Sequence, residues 1–79
     1  MKNFKKLNVV EMVAILQNMG GRRWSKYNAD RVYFNNAFGK VYYDLGDFKF
    51  VGDERVIGDY EQMAEQAAVQ YLNYKNVKK

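Results

Sequence analysis

The stretch RVYFNNAFGKVYYDL, from Arg31 to Leu45, constrains this chain more than any other. Two runs of alternating character, RVYFNN and KVYYDL, flank Asn36-Ala37-Phe38-Gly39, a composition suited to a tight turn. Pairing Asn35 with Lys40 sets Phe34 opposite Val41, Tyr33 opposite Tyr42 and Val32 opposite Tyr43. Side chains alternate between the two faces of a strand, so this register sorts the hairpin into two surfaces. Val32, Phe34, Val41, Tyr43 and Leu45 make an apolar face suited to a core. Arg31, Tyr33, Asn35, Lys40, Tyr42 and Asp44 make the other.

The flanking segments supply more strands and a covering layer. DFKFV reads as a third strand with Phe48 and Phe50 inward, after a turn at Gly46. RRWSKY reads as a strand preceding the hairpin, and ERVIG as an extension of the DFKFV strand or a short edge piece. Upstream, the spacing predicts a helix over Val9–Met19 with a stripe of Val9, Met12, Val13, Leu16 and Met19. Asn8 suits its N-cap, with Glu11 completing a capping box, and Gly20 or Gly21 supplies the left-handed residue that ends it. A second helix is expected after Asp59, with Gln62 as its capping-box partner. Tyr60, Met63, Ala64, Ala67, Tyr71 and Tyr74 line its inner face, and Asp59, Glu61 and Lys75 suit its dipole.

The expected architecture is therefore a single α+β domain over residues 1–79. It is an antiparallel three- to four-stranded meander with an N-terminal and a C-terminal helix packed on one face. Trp24 is the ambiguous side chain. A hairpin closed tightly at Asn28-Ala29 sets it opposite Tyr33 on the open face; one residue more or less sets it opposite Phe34 or Val32. The demand for core volume favours the inside.

Composition limits the chemistry. At 48% apolar and 16% aromatic, the 79 residues are too hydrophobic for a disordered chain. With no cysteine there is no disulfide, which fits a reducing cytoplasm, and no apolar run approaches the ~20 residues that span a bilayer. The cationic-then-apolar N-terminus reads as a helix, since Glu11 interrupts the run. With no histidine, no cysteine and no threonine, the lone Ser25 has no imidazole partner, and catalysis is not expected. Asp44, Asp47, Asp53 and Glu54 are oxygen donors of the type that binds magnesium, but turns favour aspartate at these positions anyway. No metal and no cofactor is expected. Gly20-Gly21 lacks the strand-to-helix context of a phosphate loop.

Charge is segregated along the chain. Arg22, Arg23, Lys26, Arg31 and Lys40 in the centre stand against Asp30 alone. From Asp44 to Glu65, seven acidic residues face only Lys49 and Arg55, and lysines mark both ends. Such a chain can present one basic and one acidic surface, which suits one-sided docking. The candidate binding residues are Arg31, Tyr33, Lys40 and Tyr42, sharing the sheet face that the helices leave open, with Arg23 at its margin. Cations beside rings can anchor a protein interface, neutralise phosphates and stack on bases, or simply pair across strands. All three readings stay open, with the protein interface first.

The stretch GGRRWSKYNADRVYFN resembles a pattern of small phage and mobile-element proteins, among them anti-CRISPR-like inhibitors. The corresponding residues are Gly21, Arg23, Trp24, Lys26, Asp30, Arg31, Val32, Tyr33 and Phe34, with Asn28 and Ala29 where the pattern usually has a turn glycine. The resemblance implies a short, cofactor-free protein of the bacterial cytoplasm. Its expected partner is a host protein or protein–nucleic-acid complex, which it blocks by binding. The alternative is a small domain that binds nucleic acid directly through the basic and aromatic sheet face.

Overall fold

A computed structural model of the chain describes residues 2–23 and 30–77. A 3-10 turn (Phe4–Lys6) leads into helix α1 (Val9–Asn18). Strands β1 (Arg22–Arg23), β2 (Arg31–Asn36), β3 (Gly39–Asp44) and β4 (Lys49–Val51) follow, then the long helix α2 (Glu54–Val77). The strands form one antiparallel sheet in the order β1-β2-β3-β4, the meander expected of an α+β domain.

The β2–β3 register is the one that hydrophobic alternation dictates. Asn35 faces Lys40, Phe34 faces Val41, Tyr33 faces Tyr42 and Val32 faces Tyr43. Val32, Phe34, Val41, Tyr43 and Leu45 are all buried. Both helices and the 3-10 turn cover that face: Phe4, Leu7, Met12, Ile15, Leu16, Phe50, Ala64 and Ala68 complete the core. Its aromatic members pack edge-on and tilted, Phe4 against Tyr43 at 5.2 Å and 81°, Tyr43 against Phe50 at 4.9 Å, and Phe34 against Tyr60 at 4.8 Å.

Helix α1 starts as its capping box requires. The Asn8 side chain accepts from the Glu11 N–H at 2.9 Å, and the Glu11 carboxylate accepts from the Asn8 N–H at 3.1 Å. Its inner stripe is turned slightly from the expected one, with Ile15 buried and Val9 exposed at the helix mouth. The two glycines after it have separate duties. Gly20, at φ 99°, takes the left-handed conformation that ends the helix. Gly21 is buried, donates to the Leu16 carbonyl at 2.9 Å and lies against Val32 and Phe34, where a Cβ would come within 2.6 Å of Val32 Cγ1.

Three expectations need correction. Helix α2 begins at Glu54, not after Asp59, and ERVIG is its first part and not a strand. Asp53 caps it: its Oδ1 accepts the Arg55 N–H at 2.9 Å, and its carbonyl accepts from Val56 and Ile57. Val56 and Ile57, β-branched and strand-like in sequence, pack onto the core as helical residues. Gly58 sits where a Cβ would meet nothing within 4 Å, so its cost is only the ~1 kcal/mol of glycine in a helix. Further along, Met63 and Tyr74 are exposed, and Ala68 takes the buried place beside Ala64.

Phe48 is the second correction. It belongs to the β3–β4 turn, at φ 57° and 41% exposed, while Phe50 alone points inward. The turn is closed by Asp44, whose Oδ1 accepts from the Gly46 and Asp47 N–H groups, and by the Phe48 N–H donating to the Asp44 carbonyl at 2.8 Å. The third concerns β1. Arg22 faces Tyr33 and Arg23 faces Val32, so Arg23, expected at the margin of the open face, lies on the helix-covered side of the sheet. The Gly21–Leu16 hydrogen bond fixes where β1 leaves the helix, and hence that register. Trp24 and Lys26 lie outside the described residues.

The N-terminal segment is held by a carboxylate from α2. Glu65 accepts from the Asn3 N–H at 2.9 and 3.1 Å, from Asn3 Nδ2 at 2.6 Å and from the Phe4 N–H at 3.1 Å. Desolvation would raise its pKa, but these donors together hold it below the ordinary value. That clamp seats Phe4, fully buried, against Tyr43.

Candidate functional site

Because Val32, Phe34, Val41, Tyr43 and Phe50 point into the helical layer, their strand neighbours line the opposite face. Reading the register across the four strands gives a first rung of Arg22, Tyr33, Tyr42 and Val51. A second rung holds Arg31, Asp44 and Lys49, and a third holds Asn35 and Lys40. Four cations therefore surround two central tyrosines, with Asp44 the one carboxylate among the described residues of the face.

The centre of this face is one connected unit. The Tyr33 and Tyr42 rings lie 5.6 Å apart, tilted by 50°. The Arg31 guanidinium sits over the Tyr42 ring, 4.3 Å from its centroid, in cation–π contact. The neighbouring Tyr33 side chain, aided by Tyr42 and Asp44 and opposed by partial desolvation, raises the Arg31 pKa above the ordinary value. Arg31 Nε is buried with no hydrogen-bond partner among the described residues. Among the described residues the ion pairs are Arg55–Asp53 and Lys75–Glu11, so Arg31 is in neither. Asp44, its neighbour across the strands, has Oδ1 committed to the turn N–H groups.

Of the five residues the sequence singles out, the structure brings four together: Arg31, Tyr33, Lys40 and Tyr42 share the open face. Arg23 does not join them. Its position opposite Val32 places it on the helix-covered side of the sheet, exposed at the edge strand, and Arg22 takes the place on the open face. Lys49 and Val51 also belong to the face, as their alternation with Phe50 signalled. Arg22 was not readable, because one residue of register decides which of two adjacent arginines faces outward.

Glu54, Asp59, Glu61 and Glu65 lie on the first half of α2, with Asp53 at its N-cap and Asp47 in the β3–β4 turn. Asp53 is tied to Arg55, which holds its pKa down to about 2, and the Arg55 guanidinium also stacks on Phe38 at 4.3 Å. Among the described residues no three metal-ligating side chains gather into one site. A shallow depression of about 400 Å³ lies between Lys2, Glu61, Gln62 and Glu65, where Glu65 already holds the N-terminal segment. No described helix is long and apolar enough to cross a membrane. No protein-family model matches the chain, and no curated protein or solved structure matches it either.

Proposed function

We propose that this is a non-enzymatic binding protein that docks on a macromolecular partner through the open face of its sheet. The observation that carries the reading is the Arg31–Tyr33–Tyr42 unit ringed by Arg22, Lys40 and Lys49. Tyrosine and arginine are the side chains that most often concentrate binding energy at protein interfaces. Here they are held on a rigid sheet, so little side-chain freedom is lost on docking. The physical setting fits a stoichiometric inhibitor, which requires a fixed surface and no reacting groups. Taken with the phage-like pattern around Gly20–Asn36, it supports an inhibitor that binds a host protein or nucleoprotein complex in the bacterial cytoplasm.

The second reading, direct binding of nucleic acid, is favoured by the excess of four cations over one carboxylate among the described residues of the same face. Affinity capture from a bacterial lysate separates the two. The protein and its Tyr33→Ala/Tyr42→Ala variant are each used as bait, with and without nuclease treatment. The proposal expects a partner that survives nuclease and is lost with the double variant. A partner retained equally by both baits would overturn it, and one that disappears on nuclease treatment would favour the second reading.

A further inference from the structure

We infer that the partner presents carboxylates, an acidic protein segment seated on Arg31, and not the bases and phosphates of a nucleic acid. This deepens the docking-face proposal and rests on it. The first ground is the state of the rings. A single-stranded nucleic acid binds such a face by stacking its bases on open aromatic surfaces. Here the Arg31 guanidinium already covers the Tyr42 ring at 4.3 Å, and Tyr33 leans against Tyr42 with ring centroids 5.6 Å apart. Arg31 covers the Tyr42 ring, so a base stacking there would have to displace it.

The second ground is the state of the charge. Arg31 is half-buried, its Nε lacks a partner among the described residues, and its cross-strand neighbour Asp44 is engaged by the Gly46 and Asp47 N–H groups. Part of the guanidinium's hydration is thus already lost in the free protein, with no carboxylate of the described residues in ion-pair contact in return. An incoming carboxylate meets a planar, immobilised donor and incurs less of the usual desolvation and ordering cost. Arg22, Lys40 and Lys49 stand around it as a cationic rim, complementary to further acidic side chains and suited to steering their approach.

The test compares two probes of equal negative charge, an oligoglutamate peptide and an oligothymidylate, by titration against the folded protein. Affinities and the NMR shifts of the Tyr33 and Tyr42 side chains are followed together. The inference expects the peptide to bind more tightly, to move both tyrosine signals, and to lose about tenfold in affinity in Arg31→Lys. Lysine keeps the charge but loses the flat stacking fork, so this variant separates geometry from charge. Melting temperatures of the variant confirm that it is folded. Tighter binding of the oligothymidylate with movement of the tyrosine signals would overturn the inference and leave the docking face standing. So would peptide binding that Arg31→Lys leaves unchanged. If neither probe moves the tyrosine signals, the inference and the docking-face proposal fall together.

Discussion

Adding one methyl group at either of two adjacent glycines is expected to destabilise the protein by two different mechanisms. At Gly20 the backbone is left-handed, φ 99°, with nothing within 4 Å of a built Cβ. Gly20→Ala then costs only the left-handed penalty, about 1 kcal/mol, and Gly20→Asn less, since asparagine tolerates that region. At Gly21 there is no such torsional demand, but the Cβ would meet Val32 Cγ1 at 2.6 Å, Leu16 O at 2.8 Å and Phe34 Cζ at 2.8 Å. Two of these atoms belong to core side chains, and the third is the carbonyl that Gly21 itself hydrogen-bonds. Relieving the overlap means moving β1 away from α1, so Gly21→Ala is expected to cost about 2–3 kcal/mol, and a larger side chain more. For a domain of this size that is a fall of roughly 10–20 °C in melting temperature, against about 5 °C for Gly20→Ala. Thermal unfolding followed by circular dichroism, with urea titration as a second measure, reads both. A Gly21→Ala protein that melts with Gly20→Asn, or a Gly20→Asn no better than Gly20→Ala, would refute the reasoning.

Tyr43 is fully buried, its hydroxyl has no partner among the described residues, and burial pushes its pKa up to about 12. Tyr43→Phe is expected to raise stability by about 1 kcal/mol, and a lower melting temperature would show that the hydroxyl is satisfied. Phe48→Asn, at φ 57° on a half-exposed turn, is expected to hold the melting temperature or raise it by up to about 1 kcal/mol in stability terms; a clear loss would mean that the ring packs usefully. Glu11 is held down from 4.5 to about 2 by hydrogen bonds from Tyr71, the Asn8 N–H and Lys75, and Asp53 from 3.8 to about 2 by Arg55. In the window between those values the unfolded chain binds protons that the folded chain does not. Stability should therefore be fully present above about pH 5 and fall as pH drops toward 2. Glu11→Gln should flatten that fall, and an unchanged acid profile would contradict the role given to these carboxylates.

What the sequence revealed follows from which forces act locally. The β2–β3 register was legible because shifting it by one residue would turn one strand's apolar pair, Val32 and Phe34 or Val41 and Tyr43, out to solvent. The α1 capping box was legible because both its hydrogen bonds join residues three apart. The start of α2 was not, because Val56, Ile57 and Gly58 disfavour a helix individually, and only the tertiary burial of Val56 and Ile57 reverses that. Phe48 misled for a similar reason: alternation carried back from Phe50 places it inward, while the Asp44 turn ends the strand one residue earlier. For the candidate face, Arg31, Tyr33, Lys40 and Tyr42 came with the hairpin register. The choice between Arg22 and Arg23 depended on how α1 hands the chain to β1.

The central claim is that the tyrosines of the open face serve binding while the residues beneath them serve folding. It is tested most directly by measuring melting temperature and affinity for the captured partner on the same set of variants. Tyr33→Ala and Tyr42→Ala are expected to lose about 2 kcal/mol of affinity each, because they sit at the centre of the face. Their stability should fall by only roughly 0.2–1 kcal/mol, the worth of a cross-strand pair. Phe34→Leu, at a position 2% exposed and packed on Tyr60 and Phe50, should show the reverse, a lowered melting temperature with affinity retained in the folded protein. Tyrosine variants that bind the partner as tightly as the parent would contradict the claim and leave this face as the solvated back of a sheet.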